Sequence, residues 1–178
     1  EDSKVAAEFD ITPYIHKGDN LISFQTFRWC DGSYSEDQDF WRLSGVARES
    51  YLYARDAGVH IDDLRITPDL INDYKDGTLE VKVDVTGRPV IDFELLNANG
   101  ITVAKSTADF KRHAYGTIRF SLRNVKKWTA ETPYLFTLVA TVKNGDKVTE
   151  VLTQKVGFRK IEIKNSQMLV NGQPILLK

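Results

Sequence analysis

The chain has 178 residues, of which 42% are hydrophobic and 28% charged, and this composition is ordinary for a globular protein of one domain or two small ones. Its 24 basic and 25 acidic residues leave a net charge of −1 without a basic stripe or polybasic run, so we expect neither nucleic acid nor a membrane as a partner. Cys30 is the one cysteine, which excludes an internal disulfide.

The first 56 residues are predicted to hold two strands and little helix. Ile11–Lys17 favours a short helical turn, which the following Gly and Asn residues cut off. Leu21–Trp29 carries apolar side chains on both faces, a pattern that predicts a strand covered on both sides. Val46–Arg55 is predicted to be a second strand.

A new rhythm of short alternating segments begins near Val59. The predicted strands are Val59–Thr67, Leu79–Val85, Val90–Leu96, Ile101–Ser106, Thr117–Leu122, Leu135–Val142 and Lys147–Val156. Asn97–Gly100 and Asn144–Asp146 are hairpin turn signals, because Asn and Gly tolerate positive φ. Seven such strands in about 100 residues predict an all-β, immunoglobulin-like β-sandwich.

The last nineteen residues, Lys160–Lys178, add further β-segments around a tight turn at Asn171-Gly172. An apolar strand such as the one predicted to end at Lys178 normally pairs with another strand. We therefore expect the natural chain to continue beyond this residue.

The stretch Arg28–Gly45 does not alternate and is rich in both acids and aromatics. Its clustered carboxylates are Asp31, Glu36, Asp37 and Asp39. Such oxygens suit Na⁺, Mg²⁺ or Ca²⁺, and the neighbouring aromatic rings could stack on a sugar. Alternatively, this is a surface loop whose acids are solvated or paired with arginines and whose aromatics anchor it to the core. Glycosidic acid/base chemistry needs two carboxylates roughly 5 to 9 Å apart across a cleft, which one loop does not provide.

Other chemical signatures are weak. His16, His60 and His113 match no metal-ligand spacing and are predicted to be surface or packing residues. Cys30 is predicted to be a small buried residue rather than a nucleophile. The sequence contains no glycine-rich phosphate loop and no Gly-x-Ser-x-Gly elbow.

Four stretches together resemble one enzyme family. Arg28–Arg48, with Asp31-Gly32-Ser33-Tyr34 and Trp41-Arg42, is similar to the loop that closes the sugar-binding jelly roll of glycoside hydrolase family 2, in its large β-galactosidase branch. The other stretches agree in order along the chain: Glu8–Asn20, Lys126–Phe136 and Val156–Lys178.

The resemblance implies a domain division. Residues 1–57 would be the C-terminal part of a galactose-binding-like jelly roll, and residues 58–165 a complete immunoglobulin-like sandwich. Residues 166–178 would lead into a (β/α)₈ barrel that lies outside this chain.

The resemblance also implies a reaction, which is retaining hydrolysis of terminal β-D-galactosides by two glutamates of the barrel. In that scheme the barrel binds Mg²⁺, and Asp39 contacts galactosyl hydroxyls and helps to hold a sodium ion. This chain would then contain no catalytic residue and be inactive alone. Its expected partners are the barrel of the same parent chain and a β-galactoside, and the parent is expected to be a homo-oligomer.

A second hypothesis is a free-standing carbohydrate-binding or adhesion module with an immunoglobulin-like fold. The apolar end and the incomplete jelly roll favour the hydrolase. Binding of glycans by this chain alone would favour the module.

Overall fold

A computed structural model describes residues 6–35, 45–46 and 48–175. The chain divides into two compact units, Glu1–Leu52 and Tyr53–Lys178. The domain limits predicted at residues 57 and 165 remain predictions. No helix in the described part of the chain is long and apolar enough to cross a membrane.

The described residues of the first unit form two short helical segments and no strand. A 3₁₀ turn covers Thr12–Tyr14, within the helical turn predicted for Ile11–Lys17. Helix α1 covers Asp31–Ser35. The strands predicted at Leu21–Trp29 and Val46–Arg55 are wrong over these residues. A strand needs a neighbour for its backbone N–H and C=O groups, and a suitable residue pattern does not supply one.

The second unit contains all seven strands predicted for the sandwich. They are β1 (His60–Ile71), β2 (Asp76–Thr86), β3 (Val90–Leu96), β4 (Thr102–Asp109), β5 (Tyr115–Leu122), β6 (Phe136–Asn144) and β7 (Lys147–Val156). One sheet has the order β1-β2-β5 and the other β4-β3-β6-β7, and every pairing within them is antiparallel. The predicted all-β sandwich is therefore confirmed.

The core lies between the two sheets and follows the period of two. On β2 the inward side chains Leu79, Val81, Val83 and Val85 are almost fully buried, as their alternation predicts. Phe93 on β3 and Phe158, just beyond β7, are completely buried. Burying a phenylalanine contributes about 1.5 to 3 kcal/mol, so these rings are main sources of the sandwich's stability.

A third, smaller sheet follows the sandwich. Its strands are β8 (Ile161–Lys164), β9 (Gln167–Val170) and β10 (Gln173–Pro174), in the order β10-β9-β8. The turn between β9 and β10 is Asn171-Gly172, with φ values of 52° and 78°. The predicted turn and the β-segments before it are present, and the end of the strand predicted to reach Lys178 lies outside the described residues.

Candidate functional site

The acidic stretch begins with a small hydrogen-bonded helix start. The Ser33 N–H donates to the Cys30 carbonyl at 2.9 Å, and the Cys30 N–H donates to Ser33 Oγ at 3.1 Å. Hydrogen bonds from the Ser33 side chain and then its backbone lower the pKa of the Cys30 thiol below its ordinary value. Cys30 is exposed, so the prediction that it is buried is wrong.

Two aromatic side chains of this stretch face solvent. Trp29 is 45% exposed and Tyr34 is 78% exposed, and their ring centroids lie 6.3 Å apart at an angle of 32°. The Arg28 guanidinium lies 5.4 Å from the centroid of the Trp29 ring. Both rings are thus at least partly accessible to solvent in the described part of the stretch.

The carboxylates of this stretch are described only in part. Asp31 lies exposed in the first turn of α1, where a negative charge is favourable. Asp39, the predicted substrate and sodium ligand, lies outside the described residues, as do Glu36 and Asp37. The role of Asp39 remains a prediction. Among the residues that the structure describes, no group of three His, Cys, Asp or Glu side chains could hold a metal ion.

The histidines behave as the sequence predicts. His60 Nδ1 lies 2.6 Å from the Asp56 carbonyl oxygen and its Nε2 lies 3.0 Å from Asp62 Oδ1. His113 packs beside the Tyr115 ring, with their centroids 6.0 Å apart. His16 is exposed.

The four-stranded sheet has a depression around Asp92, whose lining includes Lys105, Thr107 and Lys143. The Asp92 carboxylate accepts from Lys143 Nζ and from Thr107 Oγ1, each at 2.6 Å. These bonds, that from Lys143 first, lower the pKa of Asp92. Lys105 and Glu94 form a second ion pair at 2.9 Å along its rim. Its charges are thus already paired within the sheet.

The contact between the sandwich and the third sheet depends on a residue whose role the sequence did not reveal. Asn171 is 7% exposed and is the one buried polar residue in the described part of the chain. Its Oδ1 accepts from the Lys160 N–H and its Nδ2 donates to the Trp128 carbonyl, both at 2.9 Å. The Asn171 N–H donates to the Lys160 carbonyl at 2.8 Å.

The corner that Asn171 contacts is itself tightly packed. The Trp128 N–H donates to the Phe158 carbonyl at 2.9 Å, and the Arg159 guanidinium lies 4.7 Å from the Trp128 ring centroid. Phe136 and Phe158 meet edge to face with centroids 5.2 Å apart. Trp128 is thus held at a corner of the sandwich by both a backbone hydrogen bond and a cation–π contact.

Two sequence comparisons cover both units of the chain. Residues 1–56 match the model of glycosyl hydrolases family 2, sugar binding domain, and residues 59–159 match that of glycosyl hydrolases family 2. A β-galactosidase of Priestia megaterium is 40% identical over 190 aligned residues, and one of Streptococcus thermophilus is 38% identical over 183. Each alignment covers all of this chain, but only 18% and 17% of those relatives.

Solved structures support the fold of about two thirds of the chain. A β-glucuronidase of Parabacteroides merdae aligns with 67% of this chain and 16% of its own, with a TM-score of 0.61 and 21% identity. A β-glucuronidase of Bifidobacterium dentium aligns with 66% of this chain and 21% of its own, with a TM-score of 0.61 and 24% identity. At these identities the likeness concerns the fold alone.

Proposed function

The chain belongs to glycosyl hydrolase family 2, and from this premise we propose that it is a non-catalytic part of a retaining β-galactosidase. The observation that carries the proposal is the sequence identity with β-galactosidases, which extends over the whole chain. The parent enzyme would hydrolyse terminal β-D-galactosides in carbohydrate catabolism. This chain would supply a scaffold and one substrate-binding loop to it.

The catalytic groups are proposed to lie elsewhere in the parent. Retention requires two carboxyl groups about 5 to 5.5 Å apart, one as nucleophile and one as acid/base. We assign these to glutamates of a (β/α)₈ barrel, which would also hold Mg²⁺ as a Lewis-acidic ion. The support is the resemblance of Val156–Lys178 to the family's lead-in to that barrel.

Asp39 is proposed to bind the substrate and to be an oxygen ligand of Na⁺. A carboxylate accepts hydrogen bonds from sugar hydroxyls and is a hard ligand suited to this cation. Its contribution would be to orient the galactosyl ring and to hold its hydroxyls more tightly in the transition state. The resemblance of the acidic stretch, and two exposed rings at its described start, support this role.

The role of Asp39 is tested by Asp39→Asn in the parent enzyme, with Asp31→Asn as the matched control in the same stretch. We expect kcat/KM on nitrophenyl β-galactoside to fall by roughly tenfold or more in the first variant, a change of at least about 1.4 kcal/mol. Replacing Na⁺ by K⁺ should raise KM in the wild type but not in Asp39→Asn. Unchanged turnover in Asp39→Asn would contradict the assignment.

The substrate class is tested on the unsubstituted parent. Hydrolysis of nitrophenyl β-galactoside with no hydrolysis of the β-glucuronide is the expected result. The opposite preference would overturn the proposed substrate. We also propose that the parent is a homo-oligomer, which light scattering of the purified parent should show. A monomer would contradict the proposed oligomeric state.

The chain by itself is proposed to be inactive. Incubation of the purified 178-residue chain with nitrophenyl β-galactoside should release no nitrophenol, because both catalytic carboxyl groups are assigned to the barrel. A glycan array probed with the same chain distinguishes the alternative. Specific glycan binding there would favour a free-standing carbohydrate-binding module over a scaffold.

A further inference from the structure

The loop between β1 and β2 has an unusual backbone. Asn72, Asp73 and Tyr74 have φ values of 52°, 55° and 61°, so three consecutive residues without a glycine are left-handed. This conformation is uncommon for any residue other than glycine, and least expected for a bulky one such as tyrosine. Closing a hairpin does not require it, because a two-residue turn is sufficient. Such an outlier calls for a function.

The left-handed loop directs Tyr74 onto the third sheet. A Cβ added to Gly172 would clash with Tyr74 Cε2, so the ring rests directly on the bare backbone of the β9–β10 turn. The Tyr74 hydroxyl donates a hydrogen bond to the Glu162 carboxylate on β8. This bond, ahead of burial, raises the pKa of Tyr74 above its ordinary value. One side chain thus contacts both β8 and the β9–β10 turn.

The same β9–β10 turn is held from a second direction. Asn171, next to Gly172, bonds the Trp128 carbonyl in the corner that precedes β6. Tyr74 and Trp128 come from different connections of the sandwich. Lys160 Nζ adds an ion pair with Asp69 on β1, at 3.3 Å.

Contacts at separate points prevent the small sheet from turning about the short link that follows β7. A single contact would leave a hinge, whereas Tyr74 and Asn171 together restrict rotation of the sheet relative to the sandwich. The predicted lead-in to the barrel, residues 166–178, includes β9 and β10. The orientation of this sheet therefore determines the direction in which the lead-in leaves the sandwich.

We propose that Tyr74 and Asn171 are positioning residues that clamp the β8–β10 sheet on the sandwich and thereby orient the catalytic part of the parent enzyme. The clamp itself depends only on the contacts above. Its effect on catalysis rests on the proposed function.

The clamp is tested by Tyr74→Phe, which keeps the ring and removes the bond to Glu162. Amide hydrogen exchange is measured by mass spectrometry on this chain and on the parent. We expect peptides covering 161–173 to exchange about tenfold faster, with strands β2, β3 and β6 unchanged. In the parent, kcat/KM on nitrophenyl β-galactoside should fall about threefold to tenfold. Tyr115→Phe makes the same chemical change at an exposed tyrosine and should alter neither measurement.

A rescue series separates positioning from a general loss of structure. Glu162→Gln keeps an acceptor for the Tyr74 hydroxyl and should behave as the wild type in both assays. Glu162→Ala removes the acceptor and should behave as Tyr74→Phe. The double variant of Tyr74→Phe and Glu162→Ala should show no further change in exchange rate or in kcat/KM. If Glu162→Gln is as impaired as Glu162→Ala, the hydrogen-bonded clamp is overturned.

The two measurements distinguish the possible failures. Faster exchange throughout the sandwich in Tyr74→Phe would show general destabilisation and overturn the clamp. Faster exchange confined to 161–173 with wild-type turnover would confirm the clamp and refute its effect on catalysis. If the unsubstituted parent does not hydrolyse β-galactosides, the proposed function fails, and the exchange data still decide whether the clamp exists.

Discussion

Asn171 illustrates how one polar side chain can join two sheets without a buried charge. In the described residues, every buried side-chain nitrogen or oxygen has a hydrogen-bond partner. Asn171 meets this requirement with its amide oxygen and nitrogen directed to two different backbone groups. An apolar residue of the same size would leave a partly buried N–H and a partly buried C=O without these partners, which costs free energy.

Replacing Asn171 by alanine should therefore lower the free energy of unfolding. The variant loses two hydrogen bonds and leaves two backbone groups without a side-chain partner. We therefore expect a decrease of about 2 to 4 kcal/mol. Asn165→Ala is the matched control, because Asn165 is exposed and has a φ of 51°, close to the 52° of Asn171.

The control should cost about 1 kcal/mol or less, since only the left-handed backbone disfavours alanine there. Urea unfolding followed by tryptophan fluorescence measures both variants, and Trp128 reports on the affected corner. Equal losses in the two variants would show that the Asn171 hydrogen bonds contribute nothing.

The chain contains two Asn-Gly turns that differ in their packing, since one is in contact with the sandwich and the other faces open space. Gly145, between β6 and β7, has a φ of 60° and open space where a Cβ would lie. Gly172 has a φ of 78°, and its Cβ would clash with Tyr74. The sequence signal is identical, so the difference arises from packing between elements far apart in the chain.

Alanine at these two glycines should have different effects on stability. Gly145→Ala should cost about 1 to 2 kcal/mol through backbone conformation alone. Gly172→Ala should cost a further 1 to 3 kcal/mol, because the ring of Tyr74 must move. The measurement is the urea concentration at the midpoint of unfolding, compared between variants whose unfolding free energy depends equally on urea concentration. A Gly172→Ala variant no less stable than Gly145→Ala would contradict the packing of Tyr74 on this turn.

At the scale of the whole sandwich, three strand carboxylates, Asp76, Glu80 and Asp92, are stabilised in their charged form. Arg119 lowers the pKa of Glu80, and Lys143 lowers that of Asp92. Hydrogen bonds from Asn72 and the Asn124 backbone lower the pKa of Asp76. These groups bind protons less readily in the folded chain than in the unfolded one. Their stabilisation is therefore complete above the unfolded pKa near 4 and is lost as pH falls through the lower folded pKa.

The chain should accordingly be less resistant to urea at pH 3 than at pH 7. Asp92→Asn should reduce this difference, because it removes one carboxylate whose protonation costs stability. Asp146→Asn, at an exposed position in the β6–β7 turn, should leave the difference unchanged. Urea midpoints measured from pH 3 to pH 7 provide the test. An identical pH profile for Asp92→Asn and the wild type would refute the contribution of Asp92.

Alternation in the sequence was sufficient to predict the sandwich, because burial of every second side chain is a local pattern. Strands β2 and β6 show this pattern clearly. Apolar residues on both faces of Leu21–Trp29 predict a covered strand, but that pattern cannot provide a strand to pair with, and this segment is not a strand. Family membership could also be inferred from the sequence, because motifs such as Asp31-Gly32-Ser33-Tyr34 consist of consecutive residues. The site at Asp39 remains a prediction from that resemblance.

The clamp on the third sheet was decided by the tertiary structure alone. Nothing near Asn171 in sequence marks it as buried, since its partner Trp128 is 43 residues away. Tyr74 and Glu162 are 88 residues apart, and no local periodicity relates them. The sequence by itself determined which segments form sandwich strands and which family the chain belongs to, because local side-chain order encodes both. How the small sheet sits on the sandwich depends on contacts that exist only after the sheets have formed.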